Sequence, residues 1–497
     1  MNTHRLSALL ICLIGMLTEG VLSCILDQPA VTYGNKTGYV TFSFVTANPG
    51  CTTAPSVVLY NTVTGVSTNL VAQNTKSYQA TLDGQLYNKT AYFFSVKLTL
   101  GQRYAWIGKA GNSIGPYYFT LRDYAKTMET RLAMISDADI STVSAPTFAA
   151  LKRLDWSLYD GFLHGGDFAY NVENDGGARG DNYFNNITGI ITQTPYLVIA
   201  GNHENYDNAK LFNYRFRMPN VNDDYSNNFY FKVVNSVLFG FLNYDYFLKI
   251  HTKRFQEVFD YVSAQLDLYS RDTTIRWRVI VTHRPIYCGN MNKTDCSVNF
   301  YYLKPLEDLF LKHGIDVYLE SHVHIYERLR FMQNFNFIDY PVKKVGNTYE
   351  FTNVKQPLTV ICGLGGTVEE LKSNVSTANI NYATSSGTVA YLDIRITETS
   401  FQIDLIGAAS GSVMDSVRLI KTKQSLQSPS SSPVPVDRVD SRPSSSVGVS
   451  SPLMIIALLT MIGLLGLLGY RLLIASPSSQ SKGDISPPMQ DSNIIDI

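Results

Sequence analysis

The sequence predicts an α/β domain preceded by a small all-β domain, and two patterns lead to that prediction. Residues 24–122 carry short runs rich in Val, Thr, Tyr and Phe, separated by Gly and Asn turns, which is typical of antiparallel strands. From residue 128 to 420, apolar strand-like runs alternate with stretches whose apolar residues recur at helical spacing. A chain of 497 residues is long enough to give each domain its own core.

The first 23 residues predict a secretory signal. A short basic start, His4 and Arg5, precedes the apolar stretch LSALLICLIGML, and small residues follow before Cys24. We therefore expect the rest of the chain to enter the secretory pathway.

The N-terminal domain and the α/β domain each contain recognisable elements. The runs YVTFSFVT, SVVLYNT, YQATLDG, AYFFSVKLTL and YYFTL predict strands of the first domain. Helical spacing in residues 147–160 and 255–272 predicts helices in the second.

The C-terminal region predicts a stalk, a membrane span and a tail. Residues 421–452 are rich in Ser and Pro and cannot bury enough apolar surface to fold. Residues 453–474 begin with an uncharged apolar stretch long enough to span a bilayer. The polar residues 475–497 that follow favour a transmembrane anchor over a lipid-anchor signal. With the N-terminal signal, this predicts a single-pass type I protein with a cytosolic tail.

Composition excludes one class of partner. Acidic and basic residues balance at 41 each, so nothing predicts nucleic-acid binding. Nothing in the sequence predicts an oligomeric state.

Cysteines and glycosylation sequons agree with a secretory compartment. Cys288 and Cys296 flank one polar loop and predict a local disulfide, and Cys24 could pair with Cys51. Cys362 lies in the apolar run LTVIC and predicts a buried free thiol. Candidate N-glycosylation sites are Asn35, Asn88, Asn186, Asn292 and Asn374.

Polar clusters follow five apolar runs of the α/β region. The runs RLAMIS, YDGFLHG, YLVIA, WRVIVT and IDVYLE each predict a buried strand that ends at such a cluster. Because ligand sites in α/β sheets lie beyond the carboxyl ends of strands, the clusters predict one shared site. Its metal-binding candidates are Asp137, Asp167, Tyr170, Asn202, His283, His322 and His324.

His322 and His324 stand two residues apart, directly after the last of these runs. Side chains alternate along an extended backbone, so we expect both imidazoles to point to the same side. A pair of solvated loop histidines is the alternative for this motif taken alone.

The residue types indicate which metals the site prefers. Carboxylate, phenol and amide oxygens with imidazoles suit hard or borderline cations, and more than four ligands suggest two metals. Tyr170 is informative because a phenol has a pKa near ~10, so its use as a ligand favours a strongly polarising cation such as Fe(III). A packed aromatic side chain is the alternative for Tyr170.

The motifs GDFAY, GNHE, VTHRP and SHVHIYER, in this order, resemble those of the purple acid phosphatases of the metallophosphoesterase superfamily. The resemblance covers most of residues 24–420. It implies an αββα sandwich for residues 128–420 and a fibronectin III-like module for residues 24–122. HRPIYC followed by a second Cys is most similar to the animal long-form iron/zinc enzymes.

The resemblance also implies a role for each side chain of the site. Fe(III) would be held by Asp137, Asp167, Tyr170 and His324. A second metal, Zn, Fe or Mn, would share Asp167 and be held by Asn202, His283 and His322. Substrate would contact Asn202 and His203. His164, in FLHGGD, would be structural.

The implied activity is hydrolysis of phosphate monoesters by an acid phosphatase. A hydroxide held by both metals would attack phosphorus, and His203 would protonate the departing alkoxide. The partner is then a phosphate ester, and membrane contact is expected only through the C-terminal helix. The catalytic domain would face the cell exterior or an acidic lumen, lysosome-like or vacuole-like.

Two residues and one loop depart from the family's pattern. Asp139 stands where related enzymes carry a metal-binding His, so it is either a further ligand or a residue that faces solvent. Ser321 replaces a usual Gly, and its small side chain predicts that the change is tolerated. The loop 287–300 carries no histidine, so relatives with substrate-binding histidines there predict nothing about specificity.

Other functions remain open. The same metal core could hydrolyse diesters, as a phosphodiesterase or nucleotide pyrophosphatase. The chain could instead be a non-catalytic surface protein that binds partners through its β domain and stalk. A ferric site could also serve iron handling or peroxidative chemistry.

Overall fold

Two four-stranded antiparallel sheets form the N-terminal part of the computed structural model. Their strand orders are β1-β2-β6-β5 and β4-β3-β7-β8. The strands are β1 Leu26–Tyr33, β2 Tyr39–Ala47, β3 Ser56–Asn61, β4 Ser67–Val71, β5 Asn74–Leu82, β6 Gln85–Lys97, β7 Arg103–Ala110 and β8 Asn112–Thr120. Phe42 packs against Trp106 between the sheets, with ring centroids 5.1 Å apart. The predicted all-β region is confirmed.

The structure describes a defined set of residues. They are 24–47, 53–219, 227–245, 252–289, 294–367, 369, 381–385 and 387–422. The signal 1–23, nearly all of the stalk, the span 453–474 and the tail 475–497 lie outside them, as do Cys51, Asn292 and Asn374. Among the described residues, no helix is both long and apolar enough to cross a membrane.

An eight-stranded sheet and a seven-stranded sheet follow. Their orders are β11-β10-β9-β23-β24-β25-β20-β19 and β12-β13-β14-β15-β21-β16-β22, with a small β17-β18 hairpin beside them. The strands are β9 Thr130–Ile135, β10 Gly161–His164, β11 Tyr196–Val198, β12 Phe229–Val234, β13 Val237–Leu242, β14 Trp277–Thr282, β15 Val317–Glu320, β16 Tyr326–Leu329, β17 Met332–Gln333, β18 Asn336–Phe337, β19 Val342–Val345, β20 Thr348–Thr352, β21 Leu358–Cys362, β22 Asn381–Ser385, β23 Ala390–Ile396, β24 Ser400–Gly407 and β25 Val413–Ile420.

Seven α-helices of the described residues connect the strands. They are α1 Tyr124–Thr127, α2 Ala145–Lys152, α3 Ala178–Asn186, α4 Thr188–Ile191, α5 Lys210–Asn213, α6 Thr252–Ser270 and α7 Thr294–Lys312. The predicted helix at 255–272 is confirmed as α6. The predicted helix at 147–160 is only partly right, because α2 ends at Lys152 and only a short 3₁₀ turn follows at Trp156–Leu158.

Strand β14 illustrates how the two sheets are layered. Val279 and Val281 join the core shared with the eight-stranded sheet, whereas Ile280, between them, joins the core under α6 and α7. A strand buried on both faces is continuously apolar rather than alternating, which is the pattern of WRVIVT. The outer face of the second sheet is thus covered by helices, and its inner face packs on the first sheet.

A buried polar cluster joins the β domain to the α/β domain. The carboxylate of Asp181, on α3, accepts hydrogen bonds from Gln28, Tyr87 and Lys89, at 2.7, 2.8 and 2.6 Å. Arg215 donates to the same carboxylate at 2.9 Å. Both domains lie in one compact unit, so the contact is internal to it.

The cysteines partly test the disulfide predictions. Cys24 and Cys288 are both disulfide-bonded. Cys51 lies outside the described residues and the side chain of Cys296 is not described, so both pairings stay predictions. Cys362 is a buried free thiol, as predicted.

We expect Cys362 to resist alkylation in the folded protein. Burial raises the pKa of its thiol to about 12, so very little reactive thiolate forms at pH 8. Iodoacetamide at pH 8 should leave Cys362 unmodified in buffer and modify it fully in urea, as read by peptide mass spectrometry, with glutathione in the same tube as a reactive control. Rapid native labelling of Cys362 would contradict the buried position.

Candidate metal centre

The predicted site lies where strands of both sheets end. Asp137, Asp167 and Asn202 follow β9, β10 and β11, which are parallel neighbours in the first sheet. His283 and His322 follow β14 and β15, which are parallel neighbours in the second. The two sheets therefore bring the predicted residues to one edge.

Several of these residues have strained backbones. Four site residues have a positive φ, in the left-handed region that L-residues seldom adopt. They are Asp137 at 54°, Asp167 at 55°, Tyr170 at 50° and His322 at 68°. Such conformations cost of order 1–3 kcal/mol each and concentrate at functional sites. Surrounding contacts must therefore hold these turns in place.

Backbone hydrogen bonds and close packing hold the turns. Ala138 donates to the carbonyl of Asp167 at 3.2 Å and accepts from Ala169 at 2.9 Å. A Cβ on Gly201 would lie 2.2 Å from Oδ1 of Asp167, so glycine alone allows this close approach.

The carboxylate of Glu204, in GNHE, holds two of the loops together. It accepts the backbone N–H groups of Asp167, Phe168 and Gly201, each at 2.8 Å. Burial and the charge of Asp167 raise the pKa of Glu204 to about 8. The motif analysis singled out its neighbours Asn202 and His203 and missed this positioning role of Glu204.

One group of potential ligands surrounds Asp167. Its carboxylate lies 3.1 Å from Nε2 of His283, and Oδ1 of Asn202 lies 3.0 Å from the same nitrogen. Asp167, His283 and His322 each offer one potential ligand atom, and these three atoms lie within 4.8 Å of one another. Nδ1 of His283 donates to the carbonyl of Gly165 at 2.9 Å, which orients the ring with Nε2 toward the cluster.

The second group surrounds Asp137. The hydroxyl of Tyr170 lies 2.8 Å from Nε2 of His324, and that nitrogen lies 3.6 Å from Oδ1 of Asp137. Oδ1 is buried without a hydrogen-bond partner among the described residues. A cation would satisfy a buried carboxylate oxygen left in this state.

The electrostatics also favour cations. Burial lowers the pKa of His283, but the carboxylates of Asp167 and Asp137 outweigh burial and raise it to about 10. Burial and the same two carboxylates raise the pKa of Tyr170 far above its usual value. The cluster thus attracts positive charge and keeps its phenol protonated until a strongly polarising cation is present, so the donor set fits metal binding.

Asp139 is neither a ligand of this cluster nor a solvent-facing residue, so both expectations for it are wrong. It is fully buried, and Arg179 donates to its two carboxylate oxygens at 2.7 and 2.8 Å. Nε of Arg179 also donates to the carbonyl of Ala169 at 2.6 Å. The extra negative charge is therefore neutralised by a residue distant in sequence.

The expectation that the histidine pair continues an extended strand is wrong. β15 ends at Glu320, and His322 has a positive φ. Val323 and Ile325 donate to carbonyls only two residues back, at 2.7 and 2.6 Å. His322 and His324 reach the cluster from this tight turn and contact different groups within it.

Ser321 is accommodated by a glycine opposite. A Cβ on Gly165 would lie 2.2 Å from Oγ of Ser321, so the serine fits because residue 165 has no side chain.

His164 has the structural role that the resemblance implies. It is buried, its ring stacks on Phe168 at 3.9 Å, and its Nε2 lies 2.7 Å from the hydroxyl of Tyr183. Burial lowers its pKa to about 3, so it remains neutral.

His203 lies beside both groups. Its ring lies 4.5 Å from that of Tyr170, and its Nδ1 is 2.8 Å from Oδ1 of Asn171. Its Nε2 lies 3.9 Å from Asp167 and 3.6 Å from the carboxylate of Glu369. The motif analysis missed Glu369, since it lies in the run GLGGTVEE, which carries no metal-ligand spacing.

Comparisons with known proteins find similarity to phosphoesterases. A family model described as Calcineurin-like phosphoesterase matches residues 145–326. The chain is 28% identical over 369 residues to acid phosphatase type 7 of Homo sapiens, covering 71% of this chain and 80% of that protein. It is 21% identical over 319 residues to a purple acid phosphatase of Glycine max, covering 59% and 61%.

A solved structure shares the fold. A purple acid phosphatase from yellow lupin seeds superposes with a TM-score of 0.65 at 17% identity, covering 83% of this chain and 77% of that one. The chain thus contains a Calcineurin-like phosphoesterase domain, its sequence is similar to that of acid phosphatase type 7, and it shares the fold of a purple acid phosphatase.

Proposed function

We propose that this chain is an acid phosphatase that hydrolyses phosphate monoesters at a dinuclear metal centre. The observation that carries the proposal is the meeting of two ligand groups around neighbouring buried carboxylates. Asp137 and Asp167 lie at adjacent strand ends, each beside at least one imidazole. Burying such a charged cluster is costly unless cations compensate the charge, which supports a metal-dependent activity.

The donor types support a specific pair of metals. Fe(III) would be held by Asp137, Asp167, Tyr170 and His324, since a buried phenol ionises most readily on a strongly polarising cation. Asp167, Asn202, His283 and His322 would hold Zn, Fe or Mn. Such a pair supplies Lewis acidity toward the ester oxygens and toward water.

His203 is suited to move the proton. Its Nδ1 is held by Asn171, which leaves Nε2 between the carboxylates of Glu369 and Asp167, at 3.6 and 3.9 Å. An imidazolium in this position can donate its proton to the departing alkoxide, which avoids release of a strongly basic leaving group. Asn202, beside it, would orient the ester.

The compartment is also part of the proposal. The N-terminal signal and residues 453–474 support a type I membrane protein whose catalytic domain faces the cell exterior or an acidic lumen. Deletion of residues 453–474 tests the anchor. If the deleted protein leaves the cell surface or acidic organelles and is secreted into the medium, the anchor is supported. Unchanged membrane retention would contradict it.

The test of the activity compares two substrates. Purified protein should contain two metal ions per chain and hydrolyse p-nitrophenyl phosphate faster than bis-p-nitrophenyl phosphate, at pH 5 and at pH 7. A reversed preference would favour the phosphodiesterase alternative. A colourless, metal-free protein without either activity would leave only a binding role.

Replacing Tyr170 with Phe is expected to remove the visible absorption of the iron-loaded protein. The band would arise from phenolate bound to Fe(III), and no phenol oxygen remains in the variant. A visible spectrum alongside metal analysis checks this, with Tyr206→Phe as the matched control, because Tyr206 is 44% exposed. An unchanged band in Tyr170→Phe would assign the iron to other ligands.

A further inference from the structure

Arg284 contacts one of the potential metal ligands directly. It follows His283 in VTHRP, and its Nη1 donates to Nε2 of His322 at 2.8 Å. Its Nε pairs with the carboxylate of Asp245, which is buried. The Arg284 side chain is 18% exposed, so it lies at the edge of the cluster.

This contact competes with metal binding by His322. A neutral imidazole has a single lone pair, and a guanidinium can only donate. While Arg284 donates to Nε2, that lone pair is occupied and the ring proton is on Nδ1. A cation bound by Asp167, His283 and His322 together needs a lone pair of the His322 ring. If the cation binds Nε2 of His322, it displaces Arg284. If the cation binds Nδ1, the ring proton moves to Nε2, where it would face the N–H group of Arg284, so that hydrogen bond is lost in either case.

We propose that Arg284 is a phosphate-binding residue that is released from His322 when a cation fills the Asp167–His283–His322 group. The phosphate part of this inference rests on the proposed function. Guanidinium groups match the geometry of phosphate oxygens through paired N–H donors. Arg284 thus acts on the substrate only after the metal is in place.

Asp245 provides the anchor for this movement. It is 2% exposed, and its Oδ2 is buried with no hydrogen-bond partner among the described residues. A released guanidinium can place a second N–H on that oxygen, because arginine and carboxylate pair readily through two parallel bonds. The Nη1 group that leaves His322 then stays beside the cluster.

A purely orienting role for Arg284 predicts the opposite effect on metal affinity. If Arg284 served to hold His322 for the metal, its removal would weaken metal binding. If Arg284 competes for His322, removal should strengthen it, since both a competing hydrogen bond and a nearby positive charge disappear.

The experiment measures metal and phosphate binding without turnover. Metal-free wild type, Arg284→Met and Arg284→Lys are titrated with Zn²⁺ against a chromophoric chelator, and the metal-loaded proteins are titrated with inorganic phosphate by calorimetry. Arg395→Met is the matched control, since Arg395 is half exposed and pairs with Arg131 near the start of β9, whereas Asp137 follows the opposite end of that strand. Arg284→Met should bind Zn²⁺ several-fold more tightly and phosphate about 10-fold or more weakly, because a charge-assisted hydrogen bond is lost. Arg284→Lys should retain more of the phosphate affinity than the methionine variant.

Two results would overturn the inference. Weaker Zn²⁺ binding by Arg284→Met would assign Arg284 to orienting His322, and an unchanged phosphate affinity would remove its substrate role. Neither readout needs hydrolysis, so a failure of the proposed phosphatase activity is separated from a failure of this inference.

Discussion

Asp167→Asn is expected to reduce phosphomonoester hydrolysis by about three orders of magnitude or more. The carboxylate of Asp167 lies 3.1 Å from Nε2 of His283 and accepts the backbone N–H of His203 at 3.0 Å, so it links the first ligand group to the proposed acid. Burial raises the pKa of Asp167, but His283 and His203 outweigh burial and lower it to about 2, and an amide supplies no such charge. The measurement is kcat with p-nitrophenyl phosphate, together with metal content.

Asp139→Asn is the matched control for this variant. It makes the same substitution two residues from Asp137, in the same set of loops, but its amide oxygen can still accept from Arg179. We expect most of the metal and much of the activity to remain. If Asp167→Asn kept near-normal turnover, or if Asp139→Asn were as damaging, the proposed bridging position of Asp167 would be wrong.

Buried strands were predictable because their runs are continuously apolar. WRVIVT and IDVYLE correspond to β14 and β15, each followed by its polar cluster, as local composition predicts. Strand β4, by contrast, has only one buried residue, Leu70, and strand β1 contains a proline and an irregular register near Gln28. These strands are specified by pairing with distant partners, which a local pattern does not contain.

The same limit applies to the metal centre. Aspartate, histidine and tyrosine in strand-end motifs were found from the sequence because each motif is local. Two contacts join residues that are far apart in the sequence. Arg179 pairs with Asp139, 40 positions away, and Arg284 contacts His322, 38 positions away. Such contacts depend on how the loops fold against one another, and neither partner's type or spacing indicates the other.

Asp181→Ala is expected to lower the free energy of unfolding by about 3–5 kcal/mol. Arg215 donates to Asp181 at 2.9 Å and its side chain is only 2% exposed, so the variant leaves a buried positive charge without its carboxylate. Gln28, Tyr87 and Lys89 lose their shared acceptor at the same time. Urea unfolding followed by tryptophan fluorescence measures the change.

Asp27→Asn is the control for the Asp181 variant. Asp27 also contacts Lys89, but at 3.5 Å and with a quarter of its side chain exposed, so the loss should stay below about 1 kcal/mol. Equal losses in the two variants would show that the cluster is no stronger than a surface ion pair.

The pH dependence of unfolding gives an independent check on Asp181. Burial raises its pKa, but Arg215 and Lys89 outweigh burial and lower the pKa below its usual range. A carboxylate whose folded pKa is lowered contributes stability above its unfolded pKa, near ~3.9, and loses that contribution as pH falls through the folded pKa. The wild type should therefore keep this stabilisation at pH 5 and lose it below about pH 4, whereas Asp181→Asn should lose less stability over the same acid range. If the free energy of unfolding fell equally with pH in the two proteins, the Asp181 carboxylate would not hold the two domains together. Other contacts would then keep the β domain in place at the acidic pH proposed for catalysis.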